Sequence, residues 1–318
     1  MAPRAVVFAN HEVGVRCLSA VMAAGIEVPL VVTHDEEPVE SAGFASVAEL
    51  ATINDLPLAM PRDARDPQFV RRVVDNRPDF IFSFYFRQLL PQPMLEAAPL
   101  GALNMHGSLL PRYRGRAPVN WAVIRGEKET GATLHYMTQV PDAGDIVDQQ
   151  AVPILPDDTA FEVLQKIAVA AEMILCRTLP ALAAGTAPRI AQDPAAATYC
   201  GRRHPEDGAI DWAADATRVH DLVRGVAPPY PGAFTVVAGR GLRILRTRRC
   251  PDAGRRSQEA LLYIEADRCF AQCGGGGVVQ LIETEVDGAP VAPSALGDAF
   301  GSRGPWPLQC AAPRRASS

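Results

Sequence analysis

The sequence predicts an α/β chain: a parallel sheet with crossover helices, followed by a small β-rich domain. Three observations carry this. Apolar runs of five or six residues alternate with helical patterns through the first third of the chain. After residue 230 the pattern changes to short β-runs at near-even spacing, with the glycine turn 274–277 among them. And 318 residues exceed the prior of ~150 residues for one domain.

The elements follow in order. Residues 5–9 (AVVFA) form a buried strand, and residues 13–25 form a helix closed by Gly25. A second strand covers 28–33, and a helix covers 46–53. Residues 69–75 are helical, 79–84 (DFIFSF) read as a buried strand, and 100–105 form another strand that leads into a Pro-, Gly- and Arg-rich loop. The β-rich runs 131–140 and 145–153 flank the turn PDAGD and suggest a hairpin-like excursion. A long helix spans 159–184, with Asp157 and Asp158 at its positive end. Past the polar junction GRRHPEDG come a helix over 217–225 and β-runs at 233–237, 242–247, 260–265 and 278–283. The expected organisation is a Rossmann-like domain over 1–204, an OB-like barrel over 205–300 and a disordered tail over 301–318.

Composition removes several function classes. With 48% hydrophobic and 21% charged residues the chain is globular rather than disordered, and no apolar run approaches the ~18 residues of a membrane span. No signal-peptide pattern opens it, so a cytoplasmic protein is expected. A net charge of −5 argues against nucleic acid as a partner. The only lysines, Lys128 and Lys166, are not followed by Ser or Thr, which excludes a P-loop. Seven dispersed cysteines without a CxxC pair, and no HExxH, leave no metal site in view.

Of six histidines, only His106 follows an apolar strand end with polar neighbours on both sides, in Asn104-Met105-His106-Gly107-Ser108. Period-two alternation puts Asn104 and His106 on one side of the strand, at the end where parallel sheets bind ligands. An Asn amide can donate to a developing oxyanion, and an imidazole can exchange a proton near neutral pH. Asp142 is the best-placed carboxylate to orient the ring, with Asp145 as competitor. The plainer alternative is a strand-end Asn and His making turn hydrogen bonds. His135, alternating with Leu134 and Tyr136, reads as a structural strand residue, and Cys200 as packing at the domain junction.

The stretch NMHGSLLPRYRGRAPVNW (104–121), followed by GATLHYMTQVPDAGDIV, resembles the folate-dependent formyltransferase family. The likeness extends to FSFYFRQLL upstream and to CGRRHPEDGAIDW and PPYPGAF downstream. It implies 10-formyltetrahydrofolate as co-substrate, a primary amine as acceptor, no metal, and Asn104, His106 and Asp142 as catalytic residues in an accessible cleft. By the same resemblance Gln88, Leu89, Leu90, Arg116, Thr138, Gln139, Val140, Pro141 and Asp142 line the folate pocket. The closest branch usually has His where this chain has Gln88, which leaves that position to backbone contacts. Arg202 and Arg203 are candidates for an acceptor diphosphate.

Within the family the motifs are most similar to the branch acting on UDP-4-amino-4-deoxy-L-arabinose, a lipid A modification linked to polymyxin resistance. That enzyme is usually half of a bifunctional protein; no GxGxxG of a dehydrogenase half occurs here, so a stand-alone enzyme is expected. The methionyl-tRNA branch differs in three places. It carries Pro where this chain has Gly107, a basic loop where 33–41 (THDEEPVES) is acidic, and a positive C-terminal domain where 206–318 holds 13 Arg against 13 Asp plus Glu. Two further readings are a formyltetrahydrofolate hydrolase and an enzyme formylating a carrier-bound aminoacyl group. The expected acceptor is a small amino-sugar nucleotide, with neither nucleic acid nor membrane insertion; the oligomeric state is not legible.

Overall fold

A computed structural model describes residues 2–35, 44–251, 259–302 and 304–309. The chain divides into two compact units: Met1–Val119 with Glu129–Pro153 and Glu162–Arg202, and Asn120–Lys128 with Ile154–Phe161 and Arg203–Ser318. The sequence suggests one boundary near 204, whereas the units interleave. The two inserted segments are fastened to the helix Ala216–Val226 of the second unit. Asn120 donates to the Gly225 carbonyl, His220 Nε2 to that of Pro156, and Arg224 to those of Leu155 and Asp158.

The first unit is built on strands β1 (Arg4–Ala9), β2 (Glu27–Val32), β3 (Leu58–Ala59), β4 (Phe80–Phe84), β5 (Gly101–His106), β7 (Glu129–Tyr136) and β8 (Ile146–Pro153). They hydrogen-bond in the order β3-β2-β1-β4-β5-β7-β8; the first five are parallel, and β7 and β8 extend the sheet antiparallel. The expected hairpin is therefore part of the same sheet. Helices α1 (His11–Ala23), α2 (Val47–Ile53), α3 (Pro67–Asp75) and α4 (Gln92–Glu96) connect the parallel strands. Ser46 caps α2, and Asp66 caps α3 with Pro67 in its first turn. Strands β1 and β4 are buried nearly throughout, which is why each reads as a continuous apolar run.

Registers align the strand ends. Ala9 lies beside Phe84, and Phe84 beside Met105, so Asn10, Tyr85 and His106 form a row just past the carboxyl edge. Beyond it, the two-residue strands β6 (Arg114–Gly115) and β9 (Tyr199–Cys200) pair in parallel. Helix α6 (Ala160–Ala183) follows β8, after α5 (Pro118–Ile124) before β7.

The second unit is a nearly closed antiparallel barrel packed on α7 (Ala216–Val226). Strands β10 (Ala233–Val237), β11 (Arg240–Arg249), β12 (Leu261–Glu265), β13 (Arg268–Gln272), β14 (Val278–Val286) and β16 (Trp306–Pro307) run in the order β10-β11-β14-β13-β12-β16, and β15 (Ala289–Pro290) adds to β14. Its core centres on Trp212, fully buried, with Val223, Leu242, Ile244 and Leu262. The expected disordered tail needs correction at residues 304–309. Trp306 pairs with Leu262, stacks edge-on to Phe300 and is buried, so one large apolar side chain holds a Pro- and Gly-rich segment on the sheet. The rest of that tail from 310 onward, like Glu36, Glu37 and Glu40 of the acidic loop, lies outside the described residues. Among the described residues no helix is long and apolar enough to cross a membrane.

Candidate active site

Asn104 and His106 leave β5 on the same side, as the alternation requires. The loop after β7 then brings Asp142 back to them. Asp142 Oδ1 lies 3.6 Å from His106 Nδ1 and 3.7 Å from His135 Nε2, and its Oδ2 accepts the Gly115 N–H at 2.9 Å. Asp145, the competing carboxylate, stands apart: it lines a cavity with Gly144, Thr138 and Arg189.

His135 belongs to this cluster, contrary to the strand-only role expected for it. Its Nδ1–H donates to the Tyr136 carbonyl at 2.9 Å, leaving Nε2 to accept the Asn104 amide at 3.1 Å. That bond fixes which way the Asn104 amide faces and leaves its second N–H available. The register puts Asn104 directly opposite His135, a relation that becomes visible only when β5 and β7 pair.

His106 Nε2–H donates to the Tyr113 carbonyl at 2.9 Å, so the neutral ring carries its lone pair on Nδ1, toward Asp142. The ring is only 6% exposed rather than open to a cleft. The loop that follows β5 covers it: Thr133 Oγ1 donates to the Ser108 carbonyl and accepts the Leu110 N–H, and Gln149 donates to both Thr133 and the Leu110 carbonyl. Burial lowers the His106 pKa, opposed by the Asp142 charge and the Tyr113 carbonyl. Burial alone would raise Asp142, but His106, His135 and the Gly115 N–H together hold it well below the usual carboxylate range.

The other expected site residues divide. Thr138, Gln139 and Val140 line a cavity of about 470 Å³ with Gln92, Leu95 and Met137, a size that suits a small organic ligand. Gln88 turns away: its amide oxygen accepts the Ala64 N–H at 2.7 Å and its nitrogen donates to Arg62. Leu89 is 64% exposed, and Leu90 packs on the cluster around Phe8 and Ile81. Arg116 is exposed beside β9, its N–H bonded to the Cys200 carbonyl. Arg202 is exposed in the first unit. Arg203, in the second, lies 5.3 Å over the Trp121 ring, and its buried Nη1 has no hydrogen-bond partner. Cys200 is buried against the Arg114 carbonyl, a packing role. Among the described residues no His, Cys, Asp and Glu group could hold a metal ion.

Comparison with known structures finds the same architecture elsewhere. A crystal structure of the N-formyltransferase from Helicobacter canadensis, complexed with folinic acid and dTDP-3-aminofucose, is 16% identical with a TM-score of 0.68, over 88% of this chain and 99% of that one. A 4-N formyltransferase from Francisella tularensis is 18% identical with a TM-score of 0.60, over 73% of this chain and 91% of that one. HypX from Aquifex aeolicus, solved with tetrahydrofolic acid, is 16% identical with a TM-score of 0.65; the match spans 94% of this chain but 48% of HypX. At such identities the likeness is one of fold. Residues 203–295 match the family model described as formyl transferase, C-terminal domain, and residues 4–179, more than half of the chain, match the formyl transferase model. The chain belongs to the formyl transferase family.

Proposed function

We propose that the chain transfers the formyl group of 10-formyltetrahydrofolate to the primary amine of a sugar nucleotide, and that the acceptor is UDP-4-amino-4-deoxy-L-arabinose. The observation that carries the chemistry is the convergence of Asn104, His106 and Asp142 at the carboxyl end of β5 in a chain of this family. The folate would lie against Thr138–Asp142, of which Thr138, Gln139 and Val140 line the cavity beside α4 together with Leu95 and Met137.

In this reading the amine attacks the formyl carbon, and the carbonyl oxygen becomes an oxyanion that the free N–H of Asn104 stabilises. The attacking nitrogen gives up a proton, directly or through water, to Nδ1 of His106. The new N–H then faces Asp142, whose negative charge favours the imidazolium, while Nε2–H keeps its bond to Tyr113. The tetrahedral intermediate expels the folate nitrogen, which takes the proton held by the His106 imidazolium as it leaves, returning the ring to its neutral form. No covalent enzyme intermediate is needed; positioning and oxyanion stabilisation supply the rate.

Support for a sugar-nucleotide acceptor comes from the resemblance of HGSLLPRYRGRAPVNW to that branch and from a relative of the same fold solved with dTDP-3-aminofucose. In the second unit, the buried Nη1 of Arg203 has no hydrogen-bond partner and is a cationic donor for a diphosphate. The discriminating experiment incubates the enzyme and 10-formyltetrahydrofolate with a panel of amines, read by mass spectrometry. A gain of one formyl group on UDP-4-amino-4-deoxy-L-arabinose, at a kcat/KM above that for dTDP-linked amino sugars, methionyl-tRNA and water, is expected. Efficient formylation of another acceptor with this sugar nucleotide left unmodified sinks the acceptor assignment while the transferase chemistry stands.

A further inference from the structure

Asp142 occupies the left-handed region, with φ 57, a conformation uncommon for residues bearing a side chain and taken by Asp more readily than by most. Its carboxylate stands 3.6 and 3.7 Å from two imidazole nitrogens, beyond hydrogen-bond length, so small shifts of the loop change how strongly it acts on His106. The loop therefore needs an anchor.

We infer that Gln192, a residue no motif marks, is a positioning residue that holds Asp142 in its working orientation through the backbone of residues 142–144. Its Nε2 donates one hydrogen to the Asp142 carbonyl at 2.9 Å and the other to the Gly144 carbonyl at 2.7 Å. Its Oε1 accepts both Nε and Nη2 of Arg114, at 3.1 and 2.7 Å. A guanidinium can only donate and a carbonyl can only accept, so one orientation of the amide satisfies all four bonds. Arg114 is itself buried and spends Nη1 on the Tyr199 hydroxyl at 2.9 Å, across the β6–β9 pair.

The arrangement grips Asp142 twice from one two-residue strand. Gly115 holds the carboxylate directly, and the neighbouring Arg114 holds the peptide of the same residue through Gln192. Nothing in Gln192 touches His106 or Asn104, so its effect on the reaction passes through Asp142. The charged and titratable groups that face His106 are Asp142 and His135, with the Tyr113 carbonyl on its other nitrogen. Losing the grip on Asp142 removes the one group among them that favours the imidazolium by its charge.

The inference rests on the formyl-transfer reading only for its kinetic arm. Gln192→Met keeps the length of the side chain and removes every hydrogen bond; Gln192→Glu keeps the acceptor for Arg114 and removes both donors. The measurement is an NMR titration of the His106 Cε1–H, alongside kcat against pH. In either variant His106 should titrate at lower pH than in wild type, in the direction that Asp142→Asn moves it, and kcat should fall roughly ten- to a hundredfold. Added to Asp142→Asn, either change should cost less than about twofold, since the group it positions has gone. A folded Gln192 variant with unaltered His106 titration, or a loss that multiplies in full on top of Asp142→Asn, overturns the positioning role. If Met at 192 prevents folding, Glu decides. If wild type formylates no amine, the formyl-transfer reading fails while the titration still tests the inference.

Discussion

His106 and Asp142 work against their own burial. A ring 6% exposed resists protonation, and the adjacent carboxylate partly restores its basicity. The balance leaves the pKa below 6.5, so the imidazole is neutral and ready to accept a proton at pH 7. The sign of the pH dependence follows: kcat should stay high across neutrality and fall as pH drops through that lowered pKa. Asp142→Asn removes the charge that opposes the shift, so the acid limb should move to lower pH while the plateau drops ~100-fold or more. His106→Gln should lose a comparable factor at every pH. Polar isosteres suit the test better than alanine, because both groups are largely enclosed and a cavity would add a folding defect to the kinetic one. Pre-steady-state formyl transfer between pH 5 and 9 checks both; a limb that moves upward in Asp142→Asn would contradict the role given to its charge.

Two sequence features that look independent meet in the elements β4 and β5. Tyr85 follows β4 with φ 62, and its hydroxyl lies where a β-carbon at position 107 would be. That contact gives the physical reason for Gly107 where the methionyl-tRNA branch carries Pro. Gly107→Ala should therefore cost about 1–3 kcal/mol in urea unfolding. Tyr85→Ala in the same chain should recover part of that loss relative to its own single variant, and additive losses would show that the two positions do not share space. Such pairings mark what the sequence alone conveys. Strands β1, β2, β4 and β5 were legible because burial on both faces makes them continuous apolar runs, and the Asn-x-His was legible because alternation fixes its side. The β-run expected to reach Val140 stops at Tyr136: Pro141 and the left-handed Asp142 follow, and Thr138 Oγ1 turns back to the Val140 carbonyl. Strand β13 (RCFAQ) has only a weak alternation, and β6 exists solely because residues 199–200, far along the chain, pair with it. His135 and Gln192 escaped for the same reason, since each acquires its role from a partner that only the tertiary fold supplies.

At the scale of the molecule, three histidines share one electrostatic condition. His34, stacked on Phe86 and accepting the Arg87 N–H, is lowered to about 4 by burial and by the Arg87 charge. His106 is lowered by burial, and so is His220, enclosed between Thr247 and the Pro156 carbonyl. Each ring is neutral in the folded protein at a pH where the unfolded chain, with an ordinary value of 6.5, binds a proton. Between the two values the unfolded state holds more protons, so stability rises with pH across that window. The contribution is complete above pH 6.5 and is lost as pH falls from there toward the folded values, near 4 for His34. Asp142 acts in a separate, lower window: its depressed carboxyl stabilises above its ordinary 3.8 and loses that effect only in stronger acid. Thermal unfolding should therefore move to lower temperature between pH 7 and about 5.5, above the range in which ordinary carboxyls take up protons. His34→Gln retains an acceptor for the Arg87 N–H but cannot be charged, so it should flatten this decline by calorimetry while leaving the transition at pH 7.5 within a few degrees of wild type. A His34→Gln protein that loses stability on acidification as steeply as the parent would place the acid sensitivity on the other two rings.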